Sequence, residues 1–404
     1  MWQQAWKAVG GGPVSADPRF LSLVPRMPAR LPVSELAGAC VAACALAAAE
    51  FRGDPGEVTI DMRRVTTAFT SERHLRVGGR SFTAFAPSSA FFEAADGWVR
   101  THGNYPHHLS RLHAALGPDL ATAIASLPAL EVEERVSAMG GLAVAVRTPD
   151  EWAAHPQAVA VAAQPLVRFT RGDQPLPPRP RVLDLTRVIA GPVATRTLAL
   201  LGADVLRVDG PALPELEGQH LDTGVGKRST LLDFSHAADR ATFADLLSAA
   251  DVIVTGYRPS ALDKYGFEPA QLAQSHPRLG IARLSAWGTT GPWARHRGFD
   301  SLVQAATGIA VIEGSAGKPG ALPAQALDHG TGYLLAAAIL RGGRGAYVEA
   351  SLARTAQWLL ENGAPAQPTL VEMDGDTYAQ PPFGPTAWPA PARLWGTDPP
   401  QWTD

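Results

Sequence analysis

A chain of 404 residues with 46% hydrophobic and 18% charged residues has an ordinary globular composition and length for two or three domains. Its formal charge of −3 leaves no electrostatic footprint for nucleic acid. Two cysteines rule out a disulfide framework, no secretory signal is visible, and the longest apolar run, Leu36 to Ala49, is short for a bilayer; a cytoplasmic protein without a membrane partner is expected.

In chain order, SELAGACVAACAL (34–46) reads as a buried helix, with Cys40 and Cys44 four apart as small hydrophobes rather than a metal pair. RGDPGEVTIDMRRVTTAF (52–69) follows as a glycine turn, a strand and a helix. ADGWVRTHG (95–103) reads as a turn and strand, Leu109 to Leu116 and Leu130 to Met139 as helices, and GLAVAVRTP (141–149) as a strand running into a loop. HGNYPHH (102–108) holds three histidines in seven residues, read as a solvated turn because no matching Cys or His cluster lies near in sequence. PLPPRP (175–180) is a stiff connector.

Beyond it, RVLDLT (181–186), ADVLRVD (203–209), STLLDF (229–234), ADVIVTGY (250–257) and LGIARLSAW (279–287) read as strands separated by helical spacers. That alternation predicts parallel βαβ units buried on both faces, an α/β doubly wound, Rossmann-like sheet. ALDHGTGYLLAAAIL (326–340) then reads as a second buried helix, and RGGRGAYVEASLARTAQW (341–358) as turn, strand and helix. This segment repeats 34–69: Gly38 aligns with Gly332, Leu46 with Leu340, and Ser34 stands where Asp328 stands. From about Gly363 the chain is rich in Pro, Gly and Trp and is expected to be irregular.

The turn RVIAGPVATR after the first of these strands has one glycine, so neither the G-x-G-x-x-G cradle nor a P-loop is present. Asp328 sits at the start of an apolar helix. Capping is the ordinary role of an acid there. Yet Gly330 and Gly332 are poor first-turn residues that let a ligand or another backbone approach, and a carboxylate can act as a covalent nucleophile in acyl transfer.

These stretches together resemble the family III CoA-transferases, the CaiB/BaiF family. The resemblance rests on VLDLTRVIAGPVATRTLALLGADVLRVDGP (182–211), GKRSTLLDF (226–234), ADVIVTGYRPSALDKYGF (250–267), SAWGTTGPWARHRGFDSLVQAATG (285–308) and ALDHGTGYLLAAAIL (326–340). It implies a CoA-transferase that moves CoA from an acyl-CoA to a carboxylic acid, with Asp328 as nucleophile and acyl-aspartyl anhydride and aspartyl-CoA thioester intermediates. It implies CoA contacts at Val188, Ile189 and Ala190, Leu232 and Ser235, Gly256 and Tyr257, Lys264 and Tyr265, and Ser285, Ala286 and Trp287, with Lys264 or Arg258 meeting a phosphate. No metal is implied, and a homodimer is one possible assembly. Racemases of the family place a histidine before the acid of a G-x-D element; here that element is Gly298-Phe299-Asp300, and phenylalanine cannot carry a proton. An acyl-CoA isomerase or racemase, or a non-catalytic CoA-binding protein, remain as alternatives.

The order of parts departs from the family. A region like its small domain precedes the large one, so the chain reads as the rear of one copy joined to the front of another. The expected domains are 1–75, a copy of the catalytic-helix segment lacking its acid; 76–172, a small α/β domain; 173–180, the linker; 181–360, the large CoA-binding domain; and 361–404, the tail. Serines at 235 and 285 stand where family members carry lysine.

Overall fold

The computed structural model describes residues 1–363, apart from 15, 22–26, 55, 84 and 259, together with 370–379. Seven strands build the main sheet: β1 (Val167–Thr170), β2 (Arg181–Leu185), β3 (Asp204–Asp209), β4 (Arg228–Leu231), β5 (Val252–Thr255), β6 (Gly280–Ser285) and β7 (Tyr347–Ser351). Their spatial order is β1-β7-β6-β5-β2-β3-β4. All neighbours are parallel except β1, which runs antiparallel to β7. The apolar runs explain the middle of the sheet: all of β5 and everything after Arg181 in β2 is buried, as strands covered on both faces require. Strand β1 was not legible as a strand; it leaves the region read as the small domain and closes the edge of the large sheet.

From β2 the chain winds outward through β3 and β4, then returns to the other side of β2 with β5. The order therefore reverses between β2 and β5. Open α/β sheets bind ligands beyond the carboxyl ends of their strands at such a switch point.

The helices that matter for the site are α1 (Val33–Arg52), α2 (Pro106–Leu116), α3 (Ala129–Ala138), α4 (Ala190–Leu200), α5 (Asp300–Ala306) and α6 (Ala326–Gly342). In α6 every residue except Tyr333 and Arg341 is buried, which is why its sequence is apolar on all sides. Its glycines permit close contacts. A Cβ on Gly332 would lie 2.5 Å from the Ala190 carbonyl oxygen at the start of α4, and one on Gly330 would lie 3.0 Å from Leu36 Cδ2 of α1. So the two repeated helices pack on each other, and small residues set the distance. Helix α1 is longer than its apolar core, 20 residues, and apolar enough by composition to cross a bilayer; most of it is buried here. Cys40 and Cys44 on it are buried free thiols.

Around α1, Arg19–Leu21 pairs in parallel with Thr59–Asp61, outside the main sheet. Helix Met62–Phe69 ends on a fully buried phenylalanine that stacks on His329 and Tyr333 of α6, with centroids 5.1 and 5.9 Å apart. The three-stranded antiparallel sheet Phe91–Glu93, Trp98–Thr101 and Ala143–Ala145 has its own core, centred on Val99, Leu112, Ile124, Val132 and Val136. Separate from the unit 1–363 is a hairpin, Leu370–Met373 with Asp376–Ala379, in the stretch expected to be irregular. Residues 364–369 and 380–404 of that expected tail lie outside the described residues.

Candidate active site

A cavity of about 340 Å³ opens at the switch point, lined by the residues that follow β2, β5 and β6 and by Asp328. Its far wall comes from α2 of the smaller sheet unit and from the turn that leads into α5.

Asp328 lies in the first turn of α6, not at its cap. Position 325 caps the helix without a side-chain bond. The acceptor for the first-turn amides is instead Asp300, whose Oδ2 receives the Asp328 N–H at 2.9 Å. Asp300 is wholly buried, and Gln304 donates to its other oxygen while accepting the Leu322 N–H at 2.8 Å. Two carboxyls thus share a dry corner. Burial, and then the neighbouring Asp300, raise the Asp328 carboxyl well above the usual range. Burial pushes Asp300 up to about 6, against the pull of the two first-turn amides, Gln304 and Arg100. A low-dielectric pocket makes a carboxylate strongly reactive once its charge is exposed there.

The turn after β2 is held in a strained shape. Val188 has φ 70°, a left-handed conformation that a β-branched residue adopts only when its surroundings force it. Its N–H donates to Glu215 Oε2 at 3.1 Å, and its carbonyl accepts from Gln219 Nε2 at 3.3 Å. Glu215 also receives the Tyr105 hydroxyl and the Arg207 guanidinium, the latter at 3.0 Å. Burial alone would raise Glu215, but Arg187, Tyr105, the Val188 amide and Arg207 together hold it below its ordinary value. Below this turn, Lys227 Nζ meets the buried Asp184 at 2.9 Å, fixing the end of β2 to α4 through Thr195.

Of the residues expected to contact CoA, Val188, Ala190, Gly256, Tyr257, Arg258, Ser285, Ala286 and Trp287 line this cavity together with Asp328. Ile189 is buried beneath the turn. Neither it nor four others line the cavity. Leu232 is buried in the core beside Phe243, and Ser235 donates to Asp233 Oδ1 at 2.7 Å. Lys264 lies over the Tyr265 ring at 4.7 Å, and that ring packs edge-on to Phe234.

The histidine-rich loop differs from the solvated turn expected. His102 is buried and lies flat on Phe299, centroids 3.9 Å apart and planes 2° apart. His108 is buried edge-on to the same ring and lines the cavity. Burial, then Arg100, lowers His102 to about 3; burial, then His107 and His102, lowers His108 to about 2, so both are neutral imidazoles. Arg100 is itself buried between Phe85 and Phe91 and faces Asp300. His329, next to Asp328, points instead to Phe69 and has no hydrogen bond to either ring nitrogen. Of the residues gathered here, Glu215 gave no signal in the sequence, Asp300 stood out only as the acid of the Gly298-Phe299-Asp300 element, and the histidines were visible as a cluster but expected in solvent. Among the described residues no group of three or more His, Cys, Asp or Glu could hold a metal ion.

Residues 180–383 match the family model described as CoA-transferase family III. A probable fatty acyl-CoA transferase of Mycobacterium tuberculosis is 33% identical over 174 residues, covering 40% of this chain and 44% of that protein. An acetyl-CoA:oxalate CoA-transferase of Acetobacter aceti is 35% identical over 144 residues, covering 33% and 37%. A succinate–glutarate CoA-transferase of Agrobacterium fabrum is 30% identical over 208 residues, covering 45% and 52%. The chain therefore spans only 37% to 52% of the length of these relatives. A crystal structure of the Mycobacterium tuberculosis protein superposes with a TM-score of 0.43 at 30% identity, over 50% of this chain and 63% of that one.

Proposed function

The chain belongs to CoA-transferase family III, and from that premise we propose that it moves CoA from an acyl-CoA to a carboxylic acid with Asp328 as the nucleophile. The observation that carries this reading is the Asp328 carboxyl lining the same cavity as the turn 188–190 and the strand ends at 256–258 and 285–287.

In the proposed sequence an ionised Asp328 oxygen attacks the thioester carbonyl carbon. The C–S bond breaks, CoA leaves as its thiolate, and an acyl-aspartyl anhydride forms. The thiolate then attacks the Asp328 carboxyl carbon, releasing the first acid as its carboxylate and leaving an aspartyl-CoA thioester. The acceptor carboxylate attacks that thioester, giving a second anhydride and free thiolate. Attack of the thiolate on the acceptor's acyl carbon yields the new acyl-CoA and restores the Asp328 carboxylate. Each anionic species forms beside the desolvated pair at 300 and 328, so water must be kept out, and the walls of Trp287, Phe299 and Leu352 suit that. A cytoplasmic location fits two free thiols.

Incubation with an acyl-CoA and hydroxylamine, read by peptide mass spectrometry, tests the role. The Asp328 peptide is expected to carry a hydroxamate that disappears in Asp328→Asn. An unmodified peptide from an active enzyme would refute it. A second reading, α-proton exchange on an acyl-CoA, draws on His108, a neutral imidazole in the same cavity beside Phe299. It predicts solvent deuterium at the α-carbon with no acceptor acid present.

A further inference from the structure

The smaller sheet turns one face toward the corner that holds Asp300. Along its middle strand, Trp98–Thr101, and on to His102, side chains alternate. Val99 enters the sheet's own core, so Trp98, Arg100 and His102 point the other way. Trp98 Nε1 donates to the Gly317 carbonyl at 3.1 Å, and His102 lies flat on Phe299, the residue before Asp300. Arg100 stands between these two on the strand. It is 8% exposed, with the Phe85 and Phe91 rings 5.2 and 4.9 Å from its guanidinium carbon. Its Nε has no hydrogen-bond partner, and among the described residues no carboxylate is in ion-pair contact with it. A buried cation in that position is costly unless an opposite charge lies near.

Asp300 is the matching case. It is wholly buried, and its oxygens meet only donors: the Asp328 and Leu327 amides and the Gln304 side chain. In the acid form its O–H would find no acceptor among these, so the contacts suit a carboxylate. All three donors are neutral. The other titratable groups around it supply no countercharge. Asp328 is itself an acid, His329 turns to Phe69, and His102 and His108 are neutral. Arg297 is held on the Gly140 carbonyl. On or beside the elements packed against α5, Arg147 pairs with Glu133 at 2.8 Å, Arg354 lies 3.4 Å from Glu361, and Glu313 receives the Arg30 and Leu31 amides. Arg100 is the cation left, and it and Asp300 each favour the charged form of the other.

We propose that Arg100 is a positioning residue of the transfer reaction: from outside the cavity it keeps Asp300 a carboxylate, and Asp300 in turn holds the Asp328 backbone and opposes ionisation of the Asp328 side chain. This rests on the transferase reading above. Arg100 does not line the cavity, so it acts through Asp300 and not on a bound molecule. Without the guanidinium, Asp300 keeps its proton to higher pH. Its charge then no longer opposes Asp328 on the acid side.

The test is a cycle of Arg100→Met, Asp300→Asn and the double variant, with Arg100→Lys as the charge-keeping control, read as kcat/KM against pH with one acyl-CoA and one acid. Relative to its own plateau, Arg100→Met is expected to gain about three- to tenfold on the acid side of the limb, the direction also expected for Asp300→Asn. In the Asp300→Asn background Arg100→Met is expected to add nothing, and Arg100→Lys alone is expected to keep the wild-type limb. A limb that stays in place while the plateau falls overturns the proposal, because Arg100 then only packs. So does an equal shift with and without Asp300, a shift to higher pH, or Arg100→Lys behaving as Arg100→Met does. Melting temperature runs the same cycle without turnover. With Asp300 in place, the deficit of Arg100→Met against wild type is expected to widen as pH rises through about 6, the value to which Asp300 is raised, and in the Asp300→Asn background to stay level. A deficit that stays level in both backgrounds overturns the charge pair. Absence of acyl-CoA turnover by wild type at every pH strikes the transferase reading alone and leaves the melting cycle to decide.

Discussion

At the residue scale the decisive contact is between two acids. Asp300 holds the backbone of the residue whose side-chain ionisation it opposes. Asp328→Asn is expected to lower kcat by more than about a thousandfold while the protein stays folded, checked by steady-state assay and circular dichroism. Because the proposed nucleophile must be ionised and its carboxyl is raised, kcat/KM is expected to climb with pH on a limb well above the ordinary carboxylate range. Asp300→Asn removes the negative neighbour that raises Asp328, so that limb is expected to move to lower pH. Stability runs the other way. Carboxyls raised on folding support the fold fully below about 3.8 and lose that support as pH rises through their folded values. The melting temperature of Asp328→Asn is therefore expected to gain on wild type as pH rises above about 3.8. Asp328 was legible in the sequence because an acid opens an apolar helix. His102 and His108 were not, because their burial comes from Phe299, a partner far along the chain that no local pattern reveals.

At the element scale the strands β2 and β5 were readable from short runs of mostly apolar residues, broken in β2 only by the buried Asp184. The antiparallel edge β1 was not. Four residues with exposed positions at Arg168 and Thr170 give a weak pattern, and only pairing with β7 makes them a strand. The glycines of α6 had two readings, room for a ligand or room for another backbone. The structure answers with Leu36 and the Ala190 carbonyl, so at both positions the neighbour is protein. Gly332→Ala is expected to cost about 1–3 kcal/mol in urea unfolding, and to weaken acyl-CoA binding, because its methyl must push the turn that carries Val188.

At the scale of the molecule, the N-terminal segment packs over the helix that bears Asp328. Phe69 is the plug, fully buried on His329. Phe69→Ala is expected to destabilise by about 3–5 kcal/mol, measured by denaturant unfolding, with Asp328 chemistry intact in the fraction that remains folded. The repeat between 34–69 and 328–358 was visible in the sequence; that its two like helices pack on each other comes from their small residues and from Phe69, which no local pattern assigns a partner. One further consequence follows from the segment 297–300. Arginine 297 grips the smaller sheet unit through Gly140, Phe299 is clasped by its histidines, and Asp300 tethers the amide of Asp328. These four residues tie the smaller sheet to the amide of Asp328, so a substitution within them is expected to be felt at both ends.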